Sequence, residues 1–476
     1  MIPSLPNGRG CCLTSRDSYL TLDDMTAVRP AALCEEMSVN LGRLLSERAA
    51  AGQPVGVGLI GAGKFGSMFL AQARVTPGLR VVGIADLSAE RAGAALRRTG
   101  WADADRPWIC GDAEEVIAAK DVEVVVEATG SPVAGIHHAL ACCRHGRHVV
   151  MVNVEADALA GPLLARRAQE AGIIYSLAYG DQPAIICELV DWARAVGLSV
   201  VCAGKGTRYL PSFHASTPET VWPNFGFTEE QVATGDYNPK MFNSFIDGTK
   251  SGIEMTAVSN ATGLTPPPGG LGFPPSGAAD LPRVCCPRND GGTLHHPGTV
   301  EVVSSLSRDG RLLPDHLQFG VYVVFEAPSG YTARCFGEYG MATDESGRYA
   351  AMYRPYHLIG LEAGISVASV ALRGEATGTP TGFRSDVVAV AKRDLAAGEV
   401  LDGEGGYTVW GRLMAAGDSV RQGALPIGLA HGVELTAPVA AGNVVRWTGA
   451  KLDEDDEAVR VRREMERTEL PALARP

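Results

Sequence analysis

VGVGLI, residues 55–60, runs directly into GAGKFG, residues 61–66, and then into SMFLAQAR, residues 67–74. An apolar run, a glycine turn and a segment with apolar residues at helical spacing predict strand, turn and helix in immediate succession. In that context the three glycines serve different ends. Gly61 permits the tight turn, Gly63 lets backbone approach a pyrophosphate, and Gly66 lets the helix pack close to the strand. Lys64 and Phe65 occupy the turn, and the helix behind them presents free N–H groups and a partial positive charge to phosphate. The next strand, LRVVGIAD, ends on Asp86, about 20 residues past the last glycine, where a carboxylate accepts from ribose hydroxyls and favours NAD. Arg91 follows closely and faces a 2′-phosphate if Asp86 turns away, which favours NADP.

The alternation of strand and helix continues. DVEVVVEAT, residues 121–129, is nearly all apolar, as expected of a parallel strand buried on both faces. It ends at Thr129 and Gly130, and the strand HVVMVN ends at Asn153 with Glu155 just beyond. These four residues are expected at the carboxyl edge of the sheet, where ligands bind in open α/β folds. The fold class is therefore α/β: an N-terminal Rossmann doubly wound parallel sheet over residues 41–155, then further domains. The adjacent His137 and His138 point to different helix faces and read as solvated rather than as a metal site.

The 476 residues suggest about three domains. Acidic residues outnumber basic ones, 54 to 42, for a net charge of -12, which argues against a nucleic-acid partner. The 11 cysteines include no pair spaced two apart, so no zinc ladder is expected, and they read as reduced thiols of a cytoplasmic protein. The longest apolar run, near residues 358–372, is interrupted by Glu362 and is too short to span a membrane. Residues 1–40 show little periodicity and read as a disordered leader, with a helix from Val39 to Ala50.

Residues 156–385 are expected to form an α+β substrate region. LSVVCAGKGT places Lys205 between two glycines at a strand end, a position that core packing does not explain and a neighbouring phosphate, carboxylate or reacting oxygen does. Ser216 and Thr217, in the loop that follows, are candidate oxyanion donors. Pro239 then opens a predicted single helix through residue 261. At 100° per residue Lys240, Asn243, Asp247, Lys250 and Glu254 fall within an arc of roughly 80°. An ordinary solvated face with paired charges reads equally well from this pattern. The functional reading makes Lys205, Lys240, Asp247 and Lys250 catalytic and sets Asn243 beside the substrate. Residues 262–298 form a Pro/Gly-rich loop, and TVEVVSSLS, FGVYVVFEA and YTARCFGEY read as antiparallel strands. Arg334, Arg354 and His357 are further substrate contacts. A small β-rich domain spans 386–452, and residues 453–476 form a charged helical tail.

GAGKFG with Asp86, GKGT around Lys205, STPETVW at 216–222, KMFNSFIDGTKSGIEM and AKRDLAAGEVL at 391–401 together carry a resemblance. Over roughly residues 39–465 the chain resembles the homoserine-dehydrogenase-like oxidoreductases with a C-terminal SAF domain, a family that includes 1-deoxy-D-xylulose-5-phosphate reductoisomerase-like enzymes. The resemblance implies hydride transfer between NADP or NAD, leaning to NADP, and a small anionic substrate such as a sugar or polyol phosphate. It also implies a homo-oligomer and a divalent cation, for which Asp181, Asp247, Glu155 and Glu254 are the available oxygen ligands and no set is assigned. Where homoserine dehydrogenases carry an Ala-Asn-Lys turn, this chain reads Val152-Asn153-Val154-Glu155, and the missing lysine argues against homoserine. Two alternatives stand beside this reading: a homoserine-type dehydrogenase acting on a hydroxy acid, and a nucleotide-sensing regulator without turnover.

Overall fold

A computed structural model describes residues 41–235 and 237–473, so the leader expected over 1–40 lies outside the described residues. β1 (Val55–Ile60), β2 (Leu79–Ala85), β3 (Trp108–Cys110), β4 (Val124–Glu127), β5 (His148–Met151) and β6 (Tyr175–Leu177) form one sheet. All neighbours in it are parallel, in the order β3-β2-β1-β4-β5-β6. β1 and β4 are buried along their whole length, which is why they appear in sequence as unbroken apolar runs. Helices 64–73 and 89–98 cover one face. Helix Gly364–Arg373 returns from far along the chain to join them: Val367 and Val370 pack in one cluster with Leu59, Val124 and Val126. The sheet takes in β6, beyond residue 155, and its order reverses between β1 and β4, the switch point at which a crevice opens at the carboxyl edge.

A second sheet contains β7 (Ser199–Thr207), β8 (Thr299–Ser304), β9 (Val321–Glu326) and β10 (Tyr349–Arg354) in the order β10-β9-β7-β8. β7 and β8 are parallel, so the sheet is mixed rather than antiparallel throughout. The glycines around Lys205 allow close backbone approach. A Cβ on Gly204 would stand 1.7 Å from the Glu301 carbonyl oxygen, and one on Gly206 1.9 Å from that of Leu317. YTARCFGEY is not a strand: Ser329 caps a helix, Gly330–Glu338, by accepting from the Thr332 N–H at 3.2 Å, and Phe336 packs edge-on against Phe325.

The predicted single helix after Pro239 is two helices, Pro239–Ile246 and Thr249–Thr262. The break falls at Gly248, whose φ of 91° is left-handed backbone, and the preceding carbonyl, of Asp247, accepts from His214 Nδ1 at 2.7 Å. The second helix is buried on nearly every side, including Thr256 and Asn260, and so presents no solvated charged face. Gly252 admits the third unit: a Cβ there would lie 3.2 Å from the Gly411 carbonyl oxygen.

That third unit pairs β11 (Ser385–Ala391) with β13 (Val409–Ala415), and β12 (Val400–Asp402) with β14 (His431–Leu435) and β15 (Ala450–Lys451). Helix Glu457–Leu473 lies against helix 154–170 and fastens the unit to the cofactor domain. Arg462, fully buried, donates to Asp386 Oδ1 at 3.1 Å and to Glu466 at 3.0 Å. Cysteines among the described residues are free thiols, and no described helix is long and apolar enough to cross a membrane.

Candidate active site

The glycine turn has the geometry its residues require. Gly61 has φ 96°, and a Cβ on it would meet the Ala128 carbonyl oxygen at 2.7 Å; one on Gly66 would meet the Gly61 carbonyl oxygen at 2.2 Å. Gly63 is different: a Cβ there meets nothing within 4 Å. The space before the 64–73 helix is therefore open to a pyrophosphate, with the helix's first N–H groups behind it. Asp86 does not turn away. Its carboxylate is buried and accepts from the Ala62 and Ser88 N–H groups, both at 2.8 Å, and from Arg91 at 2.6 Å. Burial acts to raise its pKa, but those three donors outweigh burial and hold it below the usual range. These residues fit a bound dinucleotide. Lys64 leans over the Tyr237 ring, 5.9 Å from its centre.

At the carboxyl edge of β4 and β5 the expected contacts hold one another. Thr129 Oγ1 donates to Glu127 at 2.6 Å and accepts from Asn153 Nδ2 at 3.3 Å, while Asn153 Oδ1 caps helix 154–170 through the Ala156 N–H at 3.2 Å. Gly130, with φ 72°, leaves the space before it open. His138 is not solvated as expected: its side chain is 12% exposed, and Nδ1 faces the fully buried Glu127 at 3.1 Å.

Beyond this edge lies a cavity of about 240 Å³ whose lining includes Asp181, Gln182, Lys205, Lys250, Glu254 and His357. Each element delivers its residue for a reason. Asp181 follows β6 and caps helix 182–195, accepting from the Gln182 N–H at 2.9 Å. Lys205 comes from β7, almost fully buried, donating to Gln182 Oε1 at 3.2 Å and to the carboxylate of Glu254, one turn along helix 249–262 from Lys250. Lys250 pairs with Glu155 from the cofactor domain. His357 Nδ1 donates to the Phe319 carbonyl at 2.8 Å, which makes Nε2 the acceptor nitrogen of the neutral ring. Phe225, Phe242, Phe245 and Ile246 wall the cavity, and Arg208 lines it with them. Next to Ile359 of the lining, Gly360 packs against the helix that follows the cofactor turn, where a Cβ would stand 2.8 Å from that of Met68.

Electrostatics divide these groups by role. Burial alone would lower the Lys250 pKa, but Glu155, Glu404, Glu254 and Asp181 surround it and raise it, so Lys250 stays cationic. Asp181 is pushed up to about 6 by burial and by the Glu254 charge. The cavity thus joins a permanent cation to a carboxyl group able to exchange a proton near neutrality.

Other candidate residues are held elsewhere, and for Lys240, Asn243 and Asp247 the reason is that the Gly248 break rotates them off the Lys250 face. Lys240 Nζ donates to the Asp402 carbonyl at 3.4 Å and lines a separate cleft beside Gly130 and Glu404. Asn243 donates to the Ser216 and Gly405 carbonyls at 3.0 and 2.9 Å. Asp247 pairs with Lys392 at 2.8 Å. Ser216 Oγ accepts from Asn224 at 3.0 Å and Thr217 donates to Glu219 at 3.1 Å, so both hydroxyls knit their own loop. Arg334 is exposed over Tyr331, and Arg354 is paired with Glu362 outside the cavity lining. Three of the four candidate metal ligands, Glu155, Glu254 and Asp247, are paired with lysines, and among the described residues no group of three or more His, Cys, Asp or Glu is arranged to hold a metal ion. The residues do not fit a bound divalent cation.

A doubly wound sheet with this glycine turn and aspartate, opening on a lysine–carboxylate cavity, has the fold of NAD(P)-binding oxidoreductases. Two family models match successive stretches of the chain: "Homoserine dehydrogenase, NAD binding domain" residues 56–177, and "Oxidoreductase DRL, catalytic domain" residues 180–363. No curated protein matches the sequence. Among solved structures, a homoserine dehydrogenase from Thiobacillus denitrificans is 20% identical over 44% of this chain and 49% of that one, with a TM-score of 0.34. A myo-inositol dehydrogenase from Lactobacillus casei, in complex with NAD(H) and myo-inositol, is 19% identical over 36% and 50%, TM-score 0.27. A levoglucosan dehydrogenase in complex with NADH is 22% identical over 35% and 46%, TM-score 0.28. The chain spans about half the length of each of these three.

Proposed function

We propose that this protein moves hydride between NAD(H) and a small polar alcohol or carbonyl compound of the sugar- or polyol-phosphate kind, bound in the cavity between β6 and helix 249–262. The narrower form of this reading is a reductoisomerase-like reaction on such a phosphate. The supporting observation is the convergence of Lys205, Lys250, Asp181, Glu254 and His357 at the carboxyl end of the nucleotide-binding sheet. NAD is favoured over NADP because the fixed, ionised Asp86 repels a 2′-phosphate and occupies Arg91.

Bound at the sheet edge, the nicotinamide supplies or accepts the hydride; the rest falls to the chain. Lys205 has three N–H donors, of which Gln182 and Glu254 take two. The third is available to a substrate oxygen, where it stabilises the alkoxide that forms as the hydroxyl proton leaves in oxidation or as hydride arrives in reduction. Lys250 adds a fixed positive charge. Asp181, ionised above about pH 6, accepts the hydroxyl proton in oxidation and returns it in reduction, with His357 Nε2 as its neighbouring acceptor. Phe225, Phe242 and Phe245 exclude water, which strengthens each of these interactions. The test follows reduced-nicotinamide absorbance with a panel of short polyol phosphates and hydroxy acids. Oxidation of a phosphate member, lost in Lys205→Met, supports the proposal; tight NAD binding without turnover of any member overturns it and leaves a nucleotide sensor.

A further inference from the structure

Arg208 lies immediately beyond β7, three residues after Lys205, and lines the same cavity. Its Nε donates to the Asn224 carbonyl at 2.8 Å, which fixes the plane of the guanidinium. Neither terminal nitrogen has a protein partner among the described residues, and no charged side chain acts on it: half-burial alone lowers its pKa. The other two cations of the cavity are each compensated, Lys205 by Glu254 and Lys250 by Glu155. A guanidinium taken partly out of water beside Phe225, with two donors free and no counter-ion, carries a desolvation cost that an incoming anion removes.

We infer that Arg208 is the anchor for a terminal oxyanion of the substrate, at the opposite end of the molecule from the oxygen held by Lys205. This rests on the proposed function and deepens it by fixing where the anion sits. At about 3.3 Å per residue, the Cα atoms of Lys205 and Arg208 are separated by roughly 10 Å or less. The cavity, about 240 Å³, is smaller than the roughly 300 Å³ at which drug-sized pockets begin. Together these dimensions select a substrate with a backbone of a few carbons, bearing its reacting hydroxyl or carbonyl near one end and a phosphate or carboxylate at the other. A planar fork with two parallel donors recognises either group through paired, charge-assisted hydrogen bonds.

The experiment measures calorimetric binding of glycerol 3-phosphate, glycerate and glycerol to the NAD-loaded protein, in wild type, Arg208→Gln and Arg208→Lys. Wild type is expected to bind an anionic probe and not glycerol, with the stronger of glycerol 3-phosphate and glycerate identifying the anion. Arg208→Gln is expected to weaken that binding about 10- to 100-fold, and Arg208→Lys to recover part of it, because lysine keeps the charge and loses the fork. Unchanged NAD affinity in both variants certifies the fold. Equal binding of glycerol and its phosphate, failure of both anions to bind wild type, or anion binding unaltered in Arg208→Gln overturns the anchor. Because this readout needs no turnover, an anchor that holds in a protein oxidising no substrate separates failure of the proposed function from failure of this inference.

Discussion

Lys205 and Glu254 form a buried ion pair, their side chains 4% and 2% exposed, and replacing Lys205 with methionine removes one partner only. At an effective dielectric of about 20, opposite charges about 3 Å apart attract by about 5 kcal/mol. Breaking such a pair from one side costs about 3–5 kcal/mol, because the remaining carboxylate is left buried without a cation. Replacing both partners with apolar residues of similar volume is near neutral. Lys205→Met is therefore expected to lose about 3–5 kcal/mol of unfolding free energy in urea, Glu254→Met a similar amount, and the double variant to recover most of it. Turnover behaves differently. If Lys205 stabilises an alkoxide, the double variant, though stable, stays inactive, down by about 10²–10³ in kcat. A double variant as destabilised as the sum of the singles would refute the pairing energetics. A stable double variant with wild-type turnover would refute the catalytic role.

Further outcomes can be checked independently. NAD is expected to bind at least about ten times more tightly than NADP, and Asp86→Ser, which removes the repelling charge and frees Arg91, is expected to reverse the order; nucleotide titrations followed by protein fluorescence measure both. In the oxidation direction kcat is expected to fall as pH drops through about 6, as Asp181 takes up the proton that blocks it as a base. In Asp181→Asn that limb disappears from the pH profile and the rate is low throughout. Arg462→Ala leaves Asp386 buried without its cation, while Glu466 keeps Arg463, and is expected to cost about 3–5 kcal/mol in urea unfolding.

The cofactor half was legible because its signals are local. Parallel strands buried on both faces leave unbroken apolar runs, and the glycines at 61, 63 and 66 each answer a steric demand within their own turn. Lys205 was also legible, since glycines on both sides of a lysine mark close backbone approach rather than a surface loop. The charged stripe departs from a single helix at one residue. Gly248 takes a left-handed conformation and restarts the helix, so residues on a common arc of one helix belong to two, and only Lys250 and Glu254 reach the cavity. YTARCFGEY carries aromatic residues that suit a strand, but the Ser329 cap committed it to helix. Asp181 had a weak signal as the strand-to-helix boundary after β6. His357 was a candidate contact on its sequence neighbours alone, while Arg208 and the pairing of Glu155 with Lys250 had no signal, because their partners lie tens of residues away and come together only when the two sheets pack.

The proposed reaction has hydride leave or reach a substrate held between the nucleotide-binding sheet and the Lys205–Lys250 cavity. It is tested most directly by mixing the NAD-loaded protein with short polyol phosphates and recording reduced-nicotinamide absorbance within one turnover. The expected result is a rise in that absorbance in wild type with at least one phosphate, absent in the stable Lys205→Met/Glu254→Met variant, which binds NAD equally well. The contradictory result is the same absorbance rise in both proteins, or none in either while NAD remains tightly bound.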